Sequence, residues 1–245
     1  NTFGPGGKAV TFPTVPQEGK LILHGRDALQ MPVDFTIGDW GAYYSTGLLF
    51  FNSPMKGHPL AVLTGTGGDR GEIVLDAPHK PMVTSTHTNT ANTSVTSTWD
   101  KEKKQLRINY TWGSPYDITV SMQGKAPLTL RIADRHSLIR AWSPENLLNG
   151  TMQGLLVENA DLVRSVHYTG HTAHLVGSTT APQKVRIWLP AGITRATWNG
   201  QPLQLTAVNG HYRALLPGPA PVTLPKLTWV KHEAVSYTHL RAHET

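Results

Sequence analysis

The chain contains no cysteine, which excludes a disulfide framework, a thiolate metal site and a cysteine nucleophile. Charge is also scarce, at 16% of residues. The basic excess leaves a formal net charge of +6, but the cations are scattered, the one dense stretch being Lys101–Lys104 interrupted by Glu102. Nucleic-acid binders gather their positive charge on one face or one helix, so no nucleic-acid partner is expected. No apolar run approaches the ~18 residues that a membrane-spanning helix needs, and no membrane partner is expected either. Glu, Lys and Ala are thin, whereas threonine occurs 29 times, glycine 23 times and proline 18 times. That balance favours strands over helices. A length of 245 residues suits one large domain or two small ones.

Both ends of the chain carry information. It opens on Asn1 with neither a Met nor a charged-then-apolar leader, the expected look of a chain cut at its front, with any signal peptide outside it. It closes on Val235-Ser236-Tyr237-Thr238-His239-Leu240-Arg241-Ala242-His243-Glu244-Thr245. This string resembles, residue for residue, one translated frame of a transposase adapter used in preparing sequencing libraries. Residues 235–245 are therefore expected to be an artefactual tail, as in a fragment of metagenomic origin, and are left out of fold reasoning. His239 and His243 are not read as a metal site.

Between the ends the chain reads as short strands separated by turns. Lys20–Leu23 precedes the charged turn His24-Gly25-Arg26-Asp27. Val33, Phe35 and Ile37 alternate with polar residues, as do Leu106, Ile108 and Tyr110, and Ile118, Val120 and Met122, the period of a half-buried strand. Gly38–Gly41 reads as a turn. Leu60–Thr64 reads as a buried strand, and the glycine-rich stretch Gly65–Gly71 as a hairpin loop into Glu72–Leu75. Thr84–Thr98 is either a pair of edge strands or a loop. One helix is expected, over Ser143–Leu148, capped by Ser143, with Pro144 in the first turn and Asn149-Gly150 as its stop. After residue 152 about seven strands follow in quick succession, from Leu155–Glu158 to Leu224–Trp229. Asn199-Gly200 among them carries a strong hairpin signal. This is the pattern of a small immunoglobulin-like sandwich. The fold class expected is all-β, with two consecutive antiparallel sandwich-like domains over residues 1–152 and 153–234. Without strand–helix alternation, a (β/α)8 barrel is excluded for this stretch.

Motifs for chemistry are sparse. There is no G-x-S-x-G elbow and no P-loop, since Gly65-Thr66-Gly67-Gly68 lacks the following Lys-Ser/Thr. His167, His171 and His174 have a spacing that could hold zinc or copper, but they straddle a turn at Thr169-Gly170 and read as ordinary strand and loop histidines. Asp69 and Glu72 are the nearest carboxylate pair, without the pocket that an acid catalyst needs. No catalytic residue, cofactor or metal site is therefore expected. Among the seven tryptophans, Trp188 and Trp229 lie in apolar runs and read as core. Trp40, flanked by glycines, is the weak candidate for a sugar-stacking ring. Sequons stand at Asn92, Asn109 and Asn149.

Three blocks carry a family resemblance. The first is Gly19–Asp27 with Val33-Asp34-Phe35 and Tyr44-Ser45-Thr46. The second is Leu60–Gly65 running into Gly67-Gly68-Asp69-Arg70-Gly71-Glu72. The third is Ala133-Asp134-Arg135-His136-Ser137 with Trp142 and Pro144, followed by Leu155-Leu156-Val157 and Asp161–Ser165. In this order they resemble the second and third domains of large, fungal-type glycoside hydrolase family 35 β-galactosidases, over nearly all of residues 15–233. The glycine loop departs from the family pattern, with Asp69-Arg70-Gly71-Glu72 where the family has Gly-Glu sooner. The resemblance implies a secreted or periplasmic parent that cleaves terminal β-galactosyl residues with two glutamates on an N-terminal barrel. No part of that barrel is seen here, so no catalytic residue carries over. The fragment itself would be inactive, with the missing barrel as its partner and galactosides or galactan as possible ligands. A reading from a different class is an autonomous carbohydrate-binding module or adhesin-like sandwich, which requires a line of exposed aromatics on one face.

Overall fold

The computed structural model describes residues 2–3, 9–10, 31–53, 57–86, 94–208 and 210–219. The expected strands Lys20–Leu23 and Leu224–Trp229, the turn His24–Asp27, the sequon at Asn92, Trp229 and the tail lie outside them.

Strands β1 (Thr2–Phe3) and β2 (Ala9–Val10) pair with each other. Ten strands then build a first unit: β3 (Val33–Ile37), β4 (Trp40–Ser45), β5 (Leu48–Ser53), β6 (Leu60–Gly65), β7 (Arg70–Asp76), β8 (Met82–Ser85), β9 (Thr96–Asp100), β10 (Gln105–Thr111), β11 (Tyr116–Ser121) and β12 (Leu128–Asp134). Eleven more build a second: β13 (Ala141–Trp142), β14 (Glu145–Leu148), β15 (Thr151–Gly154), β16 (Leu156–Glu158), β17 (Leu162–Thr169), β18 (Thr172–Ser178), β19 (Gln183–Trp188), β20 (Arg195–Trp198), β21 (Gln201–Pro202), β22 (Thr206–Val208) and β23 (His211–Leu216). The described residues are all-β, with no helix.

The first unit is a sandwich of two five-stranded sheets, β3-β4-β7-β10-β9 and β5-β6-β12-β11-β8. Its core holds Ile73, Leu75, Leu106, Ile108, Ile118, Val120, Leu130 and Ile132, the residues that the period-2 pattern turns inward. The two ends of the Thr-rich stretch lie in β8 and β9, each at the edge of one sheet, and residues 87–93 between them lie outside the described residues. The second unit is a smaller sandwich, β13-β16-β19-β23-β22 over β17-β18-β20-β21, with β14-β15 as a separate hairpin. Pairing is antiparallel except between β6 and β12 and between β18 and β20. The chain leaves the first pair of sheets after β12, and β13 already pairs with β16, so residue 152 falls within β15.

Two local expectations need correction. The first is the helix at Ser143–Leu148, which is a strand hairpin pairing Glu145 with Gly154 and Leu148 with Thr151. Asn149 and Gly150 have φ of 51° and 78°, the two left-handed positions of a type I′ turn. The pair that reads as a helix stop is thus a hairpin turn. Asn146 ties the hairpin down by donating from Nδ2 to the Val166 carbonyl at 2.7 Å. The second correction concerns Gly65–Gly71, which is not a hairpin loop. Strand β6 is flanked by β5 and β12, and β7 by β4 and β10, so no edge is free for the two to pair. The loop instead crosses from one sheet to the other. It closes over Trp112, whose backbone N–H donates to Asp69 O at 2.9 Å and whose carbonyl accepts from Gly68 N at 3.0 Å. A Cβ at Gly65 would lie 2.5 Å from the indole and one at Gly47 would lie 2.2 Å from it, so only glycine fits at either position.

Candidate functional site

The described parts of the blocks that carry the resemblance meet in space at two places, Gly19–Asp27 lying outside the described residues. At the first, the end of β4 lies beside the start of β7. Thr46 and Glu72 exchange three hydrogen bonds, Thr46 N to Glu72 O at 2.9 Å, Glu72 N to Thr46 Oγ1 at 2.8 Å and Thr46 Oγ1 to Glu72 O at 3.4 Å. The Glu72 side chain is fully buried. Its carboxylate accepts from Tyr44 Oη and lies 2.9 Å from Arg107 Nη1. Burial pushes the Tyr44 hydroxyl well above its ordinary range, and the Glu72 charge pushes it the same way. Ser45 reaches Tyr110 Oη at 3.4 Å and accepts from Gly47 N at 3.1 Å. The Tyr-Ser-Thr strand and the Gly-Glu strand start therefore build one buried polar cluster. Asp69 does not join it and sits exposed in the crossing loop.

The second meeting place is the seam between the two units. Because side chains alternate along a strand, β12 turns Leu128, Leu130 and Ile132 into its own core and Arg131 and Ala133 outward. Strand β16 turns Val157 into the second core and Leu156 and Glu158 outward. Strand β19 does likewise with Val185 and Ile187 against Arg186 and Trp188. The outward residues close on each other. Phe51, Leu60, Val62, Ala133, Leu138 and Leu156 form one buried cluster drawn from both units, with Trp188 packed on it. This explains why every residue of β6 is buried: one face serves the sandwich core and the other serves the seam.

A chain of charges runs beside this cluster. Arg131 lies 2.8 Å from Asp117 Oδ1 and 2.6 Å from Glu158 Oε1, and Arg186 lies 2.6 Å from Glu158 Oε2. The two contacts to Glu158 are short ion pairs set off the line of an ideal hydrogen bond. Both guanidinium groups flank the Trp188 ring, at 5.7 and 5.8 Å from its centroid, within cation–π range. His211 stacks on the same ring at 4.9 Å. Burial lowers the Arg186 pKa, and Glu158 works against that shift. The connecting turn is fixed as well. Ser137 N donates to Asp134 Oδ1 at 2.6 Å, and Arg140 pairs with Asp161 at 2.8 Å. Thr180 donates to Asp161 from both backbone and side chain, and these bonds hold its carboxyl below the usual range.

The residues singled out in the sequence are placed as follows. Trp40 opens β4 and is fully buried. Its Nε1 donates to the Ala126 carbonyl at 2.8 Å and Lys125 Nζ lies 5.0 Å from its ring centroid. It is not an exposed ring, because the turn before it is only Gly38-Asp39 and the following strand carries Trp40 into the core. Trp188 is a seam residue rather than part of one unit's core. None of the six described tryptophans is exposed. His167 faces His174 across the β17–β18 ladder, while His171 sits in the turn with Nδ1 2.7 Å from Gly192 O. Asn149 is at an exposed hairpin tip, whereas Asn109 lies half-buried in the middle of β10. The seam charges escaped the sequence reading. Their one signal is a charged residue at an outward position of an otherwise apolar strand, as in Leu130-Arg131-Ile132 and Val157-Glu158.

Comparison with known proteins accounts for both units. Residues 10–138 match the family described as "Beta-galactosidase, domain 2", and residues 140–212 match "Beta-galactosidase, domain 3". The chain is 24% identical over 228 residues to "Probable beta-galactosidase B" of Neosartorya fischeri and 25% identical over 228 residues to that of Aspergillus fumigatus, covering 91% of this chain in each case. It is 24% identical over 220 residues to the corresponding protein of Aspergillus terreus, covering 88% of this chain. The chain spans about a fifth of the length of these relatives, 22%, 22% and 21%. The two sandwiches and the motifs that join them thus place this chain in the β-galactosidase family, as its second and third domains.

Proposed function

We propose that this chain is the non-catalytic, two-sandwich part of a β-galactosidase-like glycoside hydrolase, serving as one frame for a catalytic barrel carried elsewhere in a longer polypeptide. The seam carries this reading. Two independent binding modules need only a tether, whereas here buried apolar residues and a four-membered charge chain from both units close on each other. Such a block holds whatever packs against it at a set distance and angle. The complete enzyme would act outside the cytoplasm, secreted or periplasmic. It would remove terminal β-galactosyl residues by the retaining mechanism, with both carboxylates on the barrel.

Two further observations support the frame over a sugar-binding module. Stacking on sugar needs an open aromatic face, and the described tryptophans are buried or half-buried. A groove of about 930 Å³ beside β19 and β23 and a cavity of about 370 Å³ near Leu189 and Tyr212 are lined by no Asp or Glu, so neither holds the carboxylate pair that glycoside cleavage uses. The test is to assay the purified chain on a chromogenic β-galactoside and to titrate it with galactose and galactan oligomers. The expected result is no turnover above buffer and no saturable binding. Turnover abolished by a substitution within residues 31–219 would overturn the proposal.

A further inference from the structure

The outer face of the β17–β18 hairpin carries a histidine pair that the frame does not use. Along β17, Val166 and Tyr168 point into the core, so Ser165, His167 and Thr169 point out. Along β18, Ala173 and Leu175 point in, so Thr172, His174 and Val176 point out. His167 and His174 are direct cross-strand partners. Their rings lie 6.3 Å apart, centroid to centroid, at 27°. A third strand orients one of them: Thr197, opposite His174 on β20, has Oγ1 3.0 Å from His174 Nδ1. With Nδ1–H donating to that hydroxyl, His174 keeps the lone pair of Nε2 for a ligand. This is the outer-shell hydrogen bond by which proteins fix the tautomer of a metal-binding histidine. Ser165, Thr169, Thr172 and Val176 flank the pair along the hairpin and add no charge, while the exposed cations near it are Arg164 on β17 and Arg195, opposite Thr172 on β20.

We propose that His167 and His174 form a site for a divalent transition-metal ion of the zinc–copper class, one ring nitrogen from each clipping the ion across the hairpin, with water completing the coordination. Imidazole is the ligand type that suits these metals. The site has two protein ligands. Among the described residues no three His, Cys, Asp or Glu side chains gather around one point, and His171 is engaged by the Gly192 carbonyl. The assignment is independent of the function proposed above.

The test is calorimetric titration with zinc chloride of the full chain made without a purification tag, in a His239→Ala/His243→Ala background so that the tail is not counted. One zinc ion per chain is expected. His167→Ala or His174→Ala should each weaken binding at least tenfold, Thr197→Val about tenfold, and His171→Ala should change nothing. The absence of saturable binding, binding indifferent to both pair substitutions, or binding lost in His171→Ala would overturn the proposal. Should a variant fail to fold, imidazole ¹⁵N spectra of the parent chain decide. Zinc-induced shifts at His167 and His174 support the site, and shifts confined to other histidines refute it.

Discussion

Arg131 Nε of β12 and Glu158 Oε1 of β16 lie 2.6 Å apart, one side chain from each sandwich. Both side chains are almost fully buried, at 4% and 6% exposure. Glu158 also holds Arg186, so a single carboxylate keeps two guanidinium groups from facing each other unscreened. Removing one partner of a buried charge cluster costs more than the cluster contributes, because the remaining charges stay desolvated. Glu158→Gln is expected to lose about 3 kcal/mol of stability in urea unfolding, near the lower end for a broken buried pair because Arg186 is one-third exposed. A loss below about 1 kcal/mol, the level of a surface pair, would mean that the cluster is solvated.

The fit of Trp112 into three glycines gives a second expectation. A Cβ at Gly65 would stand 2.5 Å from the indole, one at Gly47 2.2 Å and one at Gly71 2.8 Å. Gly65→Ala should destabilise the chain by about 1–3 kcal/mol through overpacking. In a double-mutant cycle with Trp112→Leu the two losses should fall short of adding. Full additivity would place the cost in the backbone of the loop rather than in the ring.

At the hairpin tip, Gly150 has φ of +78° and open space where a Cβ would stand. The cost of Gly150→Ala is therefore conformational rather than steric, roughly 1 kcal/mol. It should appear as faster amide exchange in β14 and β15 with little change in global stability. A loss of the whole fold would show that the hairpin is integral to the second sandwich.

The carboxyl of Asp161 supplies the pH dependence. Hydrogen bonds from Thr180, first of all its backbone N–H, hold the folded pKa below the unfolded value near 3.9. The stabilisation is thus present above about pH 4 and is lost as pH falls through the folded pKa. Unfolding of Asp161→Asn followed from pH 5 to pH 2 should show a shallower acid decline than the parent chain. An identical decline would assign the acid sensitivity to other groups.

Much of this structure is legible in the sequence, and the exceptions share a cause. Alternation along Leu106–Tyr110 and Ile118–Met122 marks β10 and β11 because each has one face on the core; in β3 it turns Phe35 and Ile37 inward while Val33 stays exposed. Asn149-Gly150 reads as a helix stop because Ser143-Pro144 upstream supplies a helix start, and local signals do not say which partner a segment will find. The crossing loop at Gly65–Gly71 reads as a hairpin because hairpin and crossover share the same glycines; only the neighbours of β6 and β7, set by distant segments, separate the two. Trp40, the weak candidate for an open ring on account of its flanking glycines, is carried into the core by the strand it opens. The seam lay furthest from view. Arg131, Glu158 and Arg186 sit on three strands that only tertiary packing brings together, and a charge on an apolar strand looks the same whether it faces water or another domain.

Calorimetric unfolding of the chain decides whether the two sandwiches form one mechanical block. A single block gives one heat-absorption peak whose calorimetric and van 't Hoff enthalpies agree, broadening or splitting in Glu158→Gln as the seam loosens. Two separate transitions in the parent chain, each unmoved by Glu158→Gln, would contradict it and leave two tethered domains in place of a frame.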